Sequence, residues 1–496
     1  MPVVGGVDSS TQATKVELRD LDSGSLLGSG RAPHPDTTPP RSQQDPTAWW
    51  HALVLATGAA LADAAPRGVR ATDVVALAVA AQQHGLVVLG DGGGVIRPAK
   101  LGNDTESALD ARRLLDQLGP SAWAQACGSV PVAAFTVTKL AWLRRQEPQA
   151  YDQISSVMLP HDWLTFRLTG ARVTDRGDAS GTGYWSPSEG RYRVDLLELI
   201  DDQVDWPPRL PVVEQAHAVA GELGHSPATE LGLPAGIPVA VGTGDNMAGA
   251  LGIAMTTGDV AVSLGTSGTF YTLDDRPTHD PSGAVAGFAD ATDRFLPLVC
   301  TLNATLVTDA VARLLSVDHL TLDALALSAP PGSGGMVMVP YLAGERTPNR
   351  PEASGSLHGI RPDTTPALLA RAAFEGVVCG LLEGGDALRA NGVALGGGRM
   401  IVLGGGAHSA AYLEVLAGLA ERPVSIPSIP EPVAKGAAVL AAAATMASRV
   451  GPVIEAWDSE PWVSVDPVVE PEQARSIRHR YAESATSAWG PGADSS

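Results

Sequence analysis

A strand, a short polar turn and a second strand recur at two distant places in this chain. Residues 3–7, Val-Val-Gly-Gly-Val, lead into Asp8-Ser9-Ser10-Thr11, and residues 14–18 lead out. In the second half, residues 259–264 lead into Gly265-Thr266-Ser267-Gly268, and residues 269–273 lead out. Both read as hairpins. Another pair of signals follows the same order. The apolar run 74–81 ends in Gln82-Gln83-His84-Gly85, and the apolar run 400–403 ends in Gly404-Gly405-Gly406. Both runs have the character of buried strands. Matching signals in matching order predict duplication of one α/β unit, with a cleft between the copies.

Helices are legible between these strands. Asp45-Pro46 supplies an N-cap and a first-turn proline ahead of Trp49, Trp50 and Leu53. Thr365-Pro366 opens a second helix, carrying Leu369, Ala373, Phe374 and Val377 toward a core until Asn391-Gly392 stops it. Ser409 opens a third, which runs toward Pro423. Residues 33–40 are proline-rich and read as a loop, and the segment after 450 reads as irregular chain followed by a short polar helix. The expected division is 1–246, 247–450 and a tail at 451–496.

Chemistry concentrates in residues 242–269, GTGDNMAGALGIAMTTGDVAVSLGTSGT. Asp245 follows Gly244, and the stretch then runs through a strand into the second hairpin turn. Glycines admit positive φ and let anions approach backbone N–H groups, and Thr266, Ser267 and Thr269 add hydroxyl donors. An acid beside such a cradle suits transfer of phosphate to a hydroxyl. A loop, a strand and a tight turn would read the same way for one copy alone. In the first hairpin turn, Asp8 can hold magnesium directly or through water while hydroxyls and backbone touch phosphate, or the segment can be an ordinary Ser-rich β-turn. Gly404-Gly405-Gly406-Ala407 precedes a helix and can bear a nucleotide on bare backbone, or can be a tight connection. Ser409 stands at the third glycine position of a dinucleotide fingerprint, and no G-K-[ST] occurs. Gln82, Gln83, His84, Asn103 and Asp104 bring amides, an imidazole and a carboxylate to strand ends, where they can bind sugar hydroxyls or simply satisfy one another.

Composition narrows the partners. A net charge of −20 argues against nucleic acid and anionic membrane surfaces. The three cysteines, Cys127, Cys300 and Cys379, lack C-x-x-C spacing, which argues against a disulfide framework or zinc site. With no basic leader and no apolar run of membrane length, the expectation is a cytoplasmic protein. Only four lysines occur, Lys15, Lys100, Lys139 and Lys435.

The ordered set of motifs resembles the FGGY family of carbohydrate kinases, from about Val4 to Ala443. The stretches that carry it are GVDSSTQATK, AAQQHGLVVLGDGGGVIRPAKLGNDT, FTVTKLAWLRRQEPQAYDQI, MLPHDWLTFRLTG, TDRGDASGT, GTGDNMAGALG, VSLGTSGT, PYLAGERTPN and LGGGAHS. The resemblance implies two duplicated ribonuclease H-like domains of the actin and hexokinase kind. It also implies ATP and Mg2+ as cofactors, and a monomer or homodimer. Within the family the likeness is to members acting on pentuloses, and it implies conversion of D-xylulose to D-xylulose 5-phosphate. By the same resemblance Asp245 is the catalytic base and Asp8 an acidic residue needed for activity. Gln83, His84, Asn103, Asp104 and Asn246 bind sugar. Ser10, Thr11, Lys15, Gly265, Thr266, Ser267, Gly404, Gly405, Gly406 and Ala407 face the nucleotide.

Departures from the family pattern are Gly102 and Glu106, where Trp and Arg are usual, and Glu414 and Gly418, where Gln and Asp are usual. The first pair is expected to widen the sugar pocket or shift preference to a related pentulose, the second to be a surface change. Two alternatives stay open: a family member acting on ribulose, a deoxy-ketose or a polyol, and a non-catalytic ATP-binding protein of the actin superfamily.

Overall fold

The computed structural model describes residues 1–457 and 461–489. Two seven-stranded mixed sheets organise it. In the first, Val3–Ser9 pairs antiparallel with Ala13–Asp20, which pairs antiparallel with Leu26–Pro33. On its other side Val3–Ser9 runs parallel to Val74–Ala81, which is followed by parallel Pro238–Ala240 and antiparallel Val219–Glu222. In the second, Val260–Leu264 pairs antiparallel with Gly268–Thr272, which pairs antiparallel with Phe295–Thr301. Its other neighbours are parallel Met400–Leu403 and Val424–Pro427. Five strands thus repeat in order and direction, and the fold is the duplicated two-domain ATPase architecture that the paired hairpins foreshadow.

Register brings the turns together. Asp8 lies opposite Lys15 across the first hairpin and beside Ala80 on the parallel strand. Thr243 and Gly244 pair with Ala80 and Ala81, so Asp245 emerges at the strand end that carries Gln82 and Gln83. In the second sheet Ser263 pairs with Leu403, which sets the glycine turn at 404–406 beside the end of the hairpin strand. Ligands of open α/β sheets gather at such carboxyl ends.

Local signals account for the covering helices. Asp45 caps Pro46–Ala64 by accepting from Thr47 N, Thr365 caps Pro366–Ala390 through Leu368 N, and Ser409 caps Ala410–Leu419 through Tyr412 N. The two sheets are joined by one helix in particular. Pro432–Thr445 follows strands of the second sheet but lies on the first, against Val3–Ser9 and Val74–Ala81. Three glycines permit this. A Cβ added at Gly6 would overlap Ala434 O, one at Gly252 would overlap Pro432 O, and one at Gly436 would overlap Ala248 O. Backbone therefore packs directly on backbone where this helix meets Asp245–Gly252.

The C-terminal segment differs from its sequence reading. Val450–Trp457 is a helix, Trp462–Val465 adds an edge strand to the second sheet, and Pro471–Trp489 is a long helix. Ala474, Ile477, Tyr481 and Ala485 are buried, an apolar stripe that the helix's many charged residues obscure in sequence. Packing against Arg371 and Val469 also overturns the surface expectation for Glu414 and Gly418. Glu414 Oε1 accepts from the buried Arg371 at 3.0 Å, and a Cβ at Gly418 would sit 2.6 Å from Val469 Cγ2. No helix among the described residues is long and apolar enough to cross a membrane.

Gly436→Val should lower stability by roughly 3 kcal/mol, since overpacking against fixed backbone has no cheap relief. Gly58, inside helix Pro46–Ala64, has open space around its Cβ position. Gly58→Ala should therefore leave stability equal or raise it by up to about 1 kcal/mol. Denaturant midpoints of the two variants check both.

Candidate active site at the junction of the two sheets

The first hairpin contributes a buried acid with a cation beside it. Asp8 is 2% exposed, and Lys15 Nζ lies 3.3 Å from its Oδ2. Lys15 Nζ also donates to Glu431 Oε2 at 2.6 Å, at the start of helix Pro432–Thr445. Burial pushes the Asp8 carboxyl up to about 6 against the opposing Lys15 charge. Its Oδ1 is buried and has no hydrogen-bond partner. Ser10 Oγ donates to Ala13 O, and Thr11 Oγ1 donates to Gln82 Oε1. Both side chains therefore brace the turn, and both residues are half-buried.

Asp245 opens helix Asp245–Gly252 directly after the strand Thr243–Gly244. Its Oδ1 accepts from Asn246 N at 2.7 Å and Asn246 Nδ2 at 3.0 Å. Asn246 Nδ2 donates as well to Gln83 Oε1 at 2.8 Å. Burial, then the charges of Asp8 and Asp178, push Asp245 up to about 7. An ordinary carboxylate is expected from sequence. The structure replaces it with a group poised near neutrality, because desolvation and two neighbouring acids both oppose its charge.

His84 sits beside this shelf at φ 66°, in the left-handed region. Its Nδ1 lies 2.7 Å from Gly181 O, so Nδ1 carries the proton and Nε2 is left as an acceptor. Burial, then the Lys139 and Arg346 charges, push His84 down to about 3, which keeps the ring neutral. Phe135 stacks on it at 4.9 Å between centroids, and Phe288 from the second sheet approaches at 5.6 Å. Lys139 Nζ holds the strained loop by donating to His84 O at 2.6 Å and Ala134 O at 2.5 Å.

The Asn103-Asp104 loop divides its labour. Asn103 is exposed, whereas Asp104 is wholly buried. Asp104 Oδ1 accepts from Lys100 Nζ at 2.8 Å and Glu106 N at 3.2 Å, and Oδ2 accepts from Ser42 N at 2.9 Å. Glu106 is no free charge, because its Oε2 accepts from Lys100 Nζ and Gln43 Nε2. Lys100 Nζ in turn lies 3.7 Å above the Trp142 ring. A Cβ at Gly102 would be 2.8 Å from Gln83 O, so the glycine brings this loop tightly against the shelf.

On the second sheet, Thr266 and Ser267 are exposed, and Thr269 Oγ1 is buried without a partner. Thr266 O accepts from Ala304 N and Gly265 O from Thr305 N, which pins the turn to helix Thr305–Leu315. Gly404, at φ 83°, and Gly406 have Cβ positions that would press on Leu264, whereas Gly405 opens onto free space. Ala407 follows in the same tight turn, residues Gly405–His408. A cavity of about 350 Å³ adjoins it, lined by Gly405, Gly406, Ser409 and Tyr412 and walled by Thr305, Asp309, His319 and Asp323.

Sequence reasoning missed Glu431, Lys139, Phe135, Phe288 and the helices Thr305–Leu315 and His319–Ser328. One signal was available. Lys100, Lys139 and Lys435 are each at most 4% exposed, so three of the four lysines of this chain lie in its interior. As a whole, a carboxylate pushed up to about 7 is held beside side-chain amides, with a neutral imidazole on the adjoining strand end. The exposed Thr266 and Ser267, the unpartnered Thr269 Oγ1 and a cavity of about 350 Å³ belong to the second half. Such a site can take a proton from an alcohol while holding phosphates.

Comparison with known proteins gives a consistent picture. The N-terminal domain model of the FGGY family of carbohydrate kinases matches residues 3–252, and the C-terminal domain model matches residues 260–445. A xylulose kinase of Streptomyces coelicolor is 44% identical over 476 residues, 95% of this chain and 94% of that protein. A xylulose kinase of Escherichia coli is 33% identical over 422 residues, 83% of this chain and 84% of that protein. The crystal structure of xylulose kinase from Bifidobacterium adolescentis superposes with a TM-score of 0.84 at 36% identity, covering 98% of this chain and 99% of that one.

Proposed function

The chain belongs to the FGGY family of carbohydrate kinases, and on that premise we propose that it transfers the γ-phosphoryl group of ATP to D-xylulose, giving D-xylulose 5-phosphate. The observation that carries the reading is Asp245, raised to about 7 and held by Asn246, itself fixed by Gln83, on the sugar side of the junction. With Oδ1 engaged by Asn246, Oδ2 is the atom that takes the proton of the terminal hydroxyl as it attacks in line. His84 Nε2, the Asn246 Oδ1 acceptor and the exposed Asn103 hold the other hydroxyls, with Gln83 fixing Asn246 through its Oε1. Asp104, clamped by Lys100 and Ser42, shapes the loop that presents Asn103.

ATP lies with its base in the cavity beside 404–407 and its phosphates toward Gly265, Thr266, Ser267, Ser10, Thr11 and Lys15. The buried, unpartnered Oδ1 of Asp8 is a hard oxygen of the sort magnesium takes, and no group of three or more His, Cys, Asp or Glu among the described residues forms a metal cage. That suits an ion bound through one carboxylate and phosphates. Magnesium held at Asp8, directly or through water, would neutralise phosphate charge. Most of the acceleration then comes from positioning and charge neutralisation, with about 10²–10⁴-fold from the base. Closure of the halves excludes water, which otherwise competes as acceptor. In this reading residues 1–246 form the sugar half, 247–450 the nucleotide half and 451–496 an appendage. The enzyme is cytoplasmic, works on small molecules rather than nucleic acid, and is a monomer or homodimer.

Asp245→Ala should cut D-xylulose-dependent ADP release by about 10³-fold with ATP affinity little changed. Near-normal turnover of that variant refutes the base assignment. Because the base must be ionised, kcat/KM for the sugar should fall about tenfold per pH unit below about 7. A profile flat down to pH 5 contradicts it.

A further inference from the structure

A polar layer that no step above uses lies beneath the Gln83–Asn246 shelf. His161 and Asp162 begin helix Pro160–Thr169, Asp175 ends strand Val173–Asp175, and Asp178 lies in the short helix Arg176–Ala179. All four side chains are fully buried. His161 Nδ1 donates to Asp178 Oδ2 at 2.7 Å, and its Nε2 lies 3.2 Å from Asp162 Oδ1. Asp175 Oδ1 accepts from Asp178 N, and Oδ2 accepts from Thr243 Oγ1 at 2.8 Å. The layer is thereby fastened two residues before Asp245. Burial opposes a charge on His161, but Asp162 and Asp178 outweigh it and push the imidazole up to about 9. Three buried carboxylates without that cation would be costly.

Layer and shelf meet at Gly244. A Cβ there would lie 2.8 Å from Gln83 Cγ and 3.2 Å from Asp178 Oδ1, so the bare backbone lets the two side chains approach each other. Gln83 Nε2 and Asp178 Oδ1 are both buried and neither makes a well-formed hydrogen bond. The amide is still near enough to lower the Asp178 carboxyl, which burial raises. On its other side Gln83 Oε1 accepts from Asn246 Nδ2, which reaches Asp245 Oδ1. The slack contact is one link in a continuous chain from His161 to Asp245.

We propose that His161 and Asp178 are positioning residues for the sugar site: Asp178, held by His161, draws the Gln83 amide so that its oxygen fixes Asn246, and through it Asp245, for the sugar hydroxyl. The inference rests on the reading of Asp245 and Gln83 given above. Loading the shelf with a sugar tightens the Gln83–Asp178 contact, so the pair serves sugar binding and base alignment and leaves the nucleotide half untouched.

Asp178→Asn leaves one acceptor for two donors, His161 Nδ1 and Gln83 Nε2, so one of the contacts is lost. Steady-state kinetics should show kcat/KM for D-xylulose falling about 10- to 100-fold, with KM for ATP within about twofold. The acid limb of that kcat/KM should move to lower pH, because a negative charge facing Asp245 is gone. Asp8 from strand Val3–Ser9 and Tyr271 from strand Gly268–Thr272, the other titratable groups facing Asp245, are unchanged. In a Gln83→Ala background Asp178→Asn should cost nothing further. If Asp178→Asn does not fold, His161→Gln keeps a donor toward Asp178, removes the cation, and should show the same dependence on Gln83. Additive losses with Gln83→Ala, an unmoved acid limb, or an equal rise in the ATP KM overturn the proposal and leave Asp245 as base. Normal sugar turnover by Asp245→Ala would instead overturn the underlying reading, whatever Asp178 does.

Discussion

Backbone-to-backbone packing of helix Pro432–Thr445 on the first sheet is the contact that the rest of the molecule depends on. Gly6, Gly252 and Gly436 remove the side chains that would hold these surfaces apart. The helix leaves the second sheet and presses on the first, so it fixes both ends of the junction at once. Glu431 at its start meets Lys15, and Lys15 meets Asp8. Its neighbour, helix Asp245–Gly252, has Asp245 at its first residue. A clamp that closes on a sugar and a nucleotide needs such a rigid seam to move against.

The electrostatics follow from what the seam buries. Asp245 feels the charges of both Asp8 and Asp178, and their repulsion adds to its desolvation. The cations that offset them are placed singly. Lys15 serves Asp8, His161 serves Asp178, and Asp245 has only the Asn246 amides. That inequality is what leaves Asp245 with a proton affinity suited to exchange near neutral pH, while its neighbours are tied down. His84 shows the same logic in reverse: burial beside Lys139 keeps it neutral, so its Nε2 stays an acceptor where a charged ring could only donate.

Much of this was legible in the sequence because it is local. The two hairpins, the three helix caps, and the placement of Asp245 after a strand end follow from turn and capping chemistry over a few residues, whereas Asp8, read as a turn residue, is held inside strand Val3–Ser9 by its pairing with Lys15. What was not legible depends on contacts between distant segments. Lys15 and Glu431 stand 416 residues apart, and nothing near either one announces the other. Asp104 read as a sugar ligand beside Asn103, but Ser42 and Lys100 occupy its oxygens, and only tertiary structure brings Ser42 there. The edge strand at 462–465 and the buried stripe of the last helix were hidden by polar neighbours. Gly102 read as a missing wall, whereas it is a point of close approach to Gln83.

The account's central claim is that this junction directs the γ-phosphoryl group onto the terminal hydroxyl of a pentulose. The most direct measurement is ADP release by the purified chain with Mg2+ and ATP across a panel of pentuloses, polyols and water alone, with the product position read by NMR. The account predicts that D-xylulose gives the highest kcat/KM, that release without sugar is slow, and that the phosphate is on O5. A higher kcat/KM with another acceptor, phosphate on a different oxygen, or release that no sugar stimulates would contradict it.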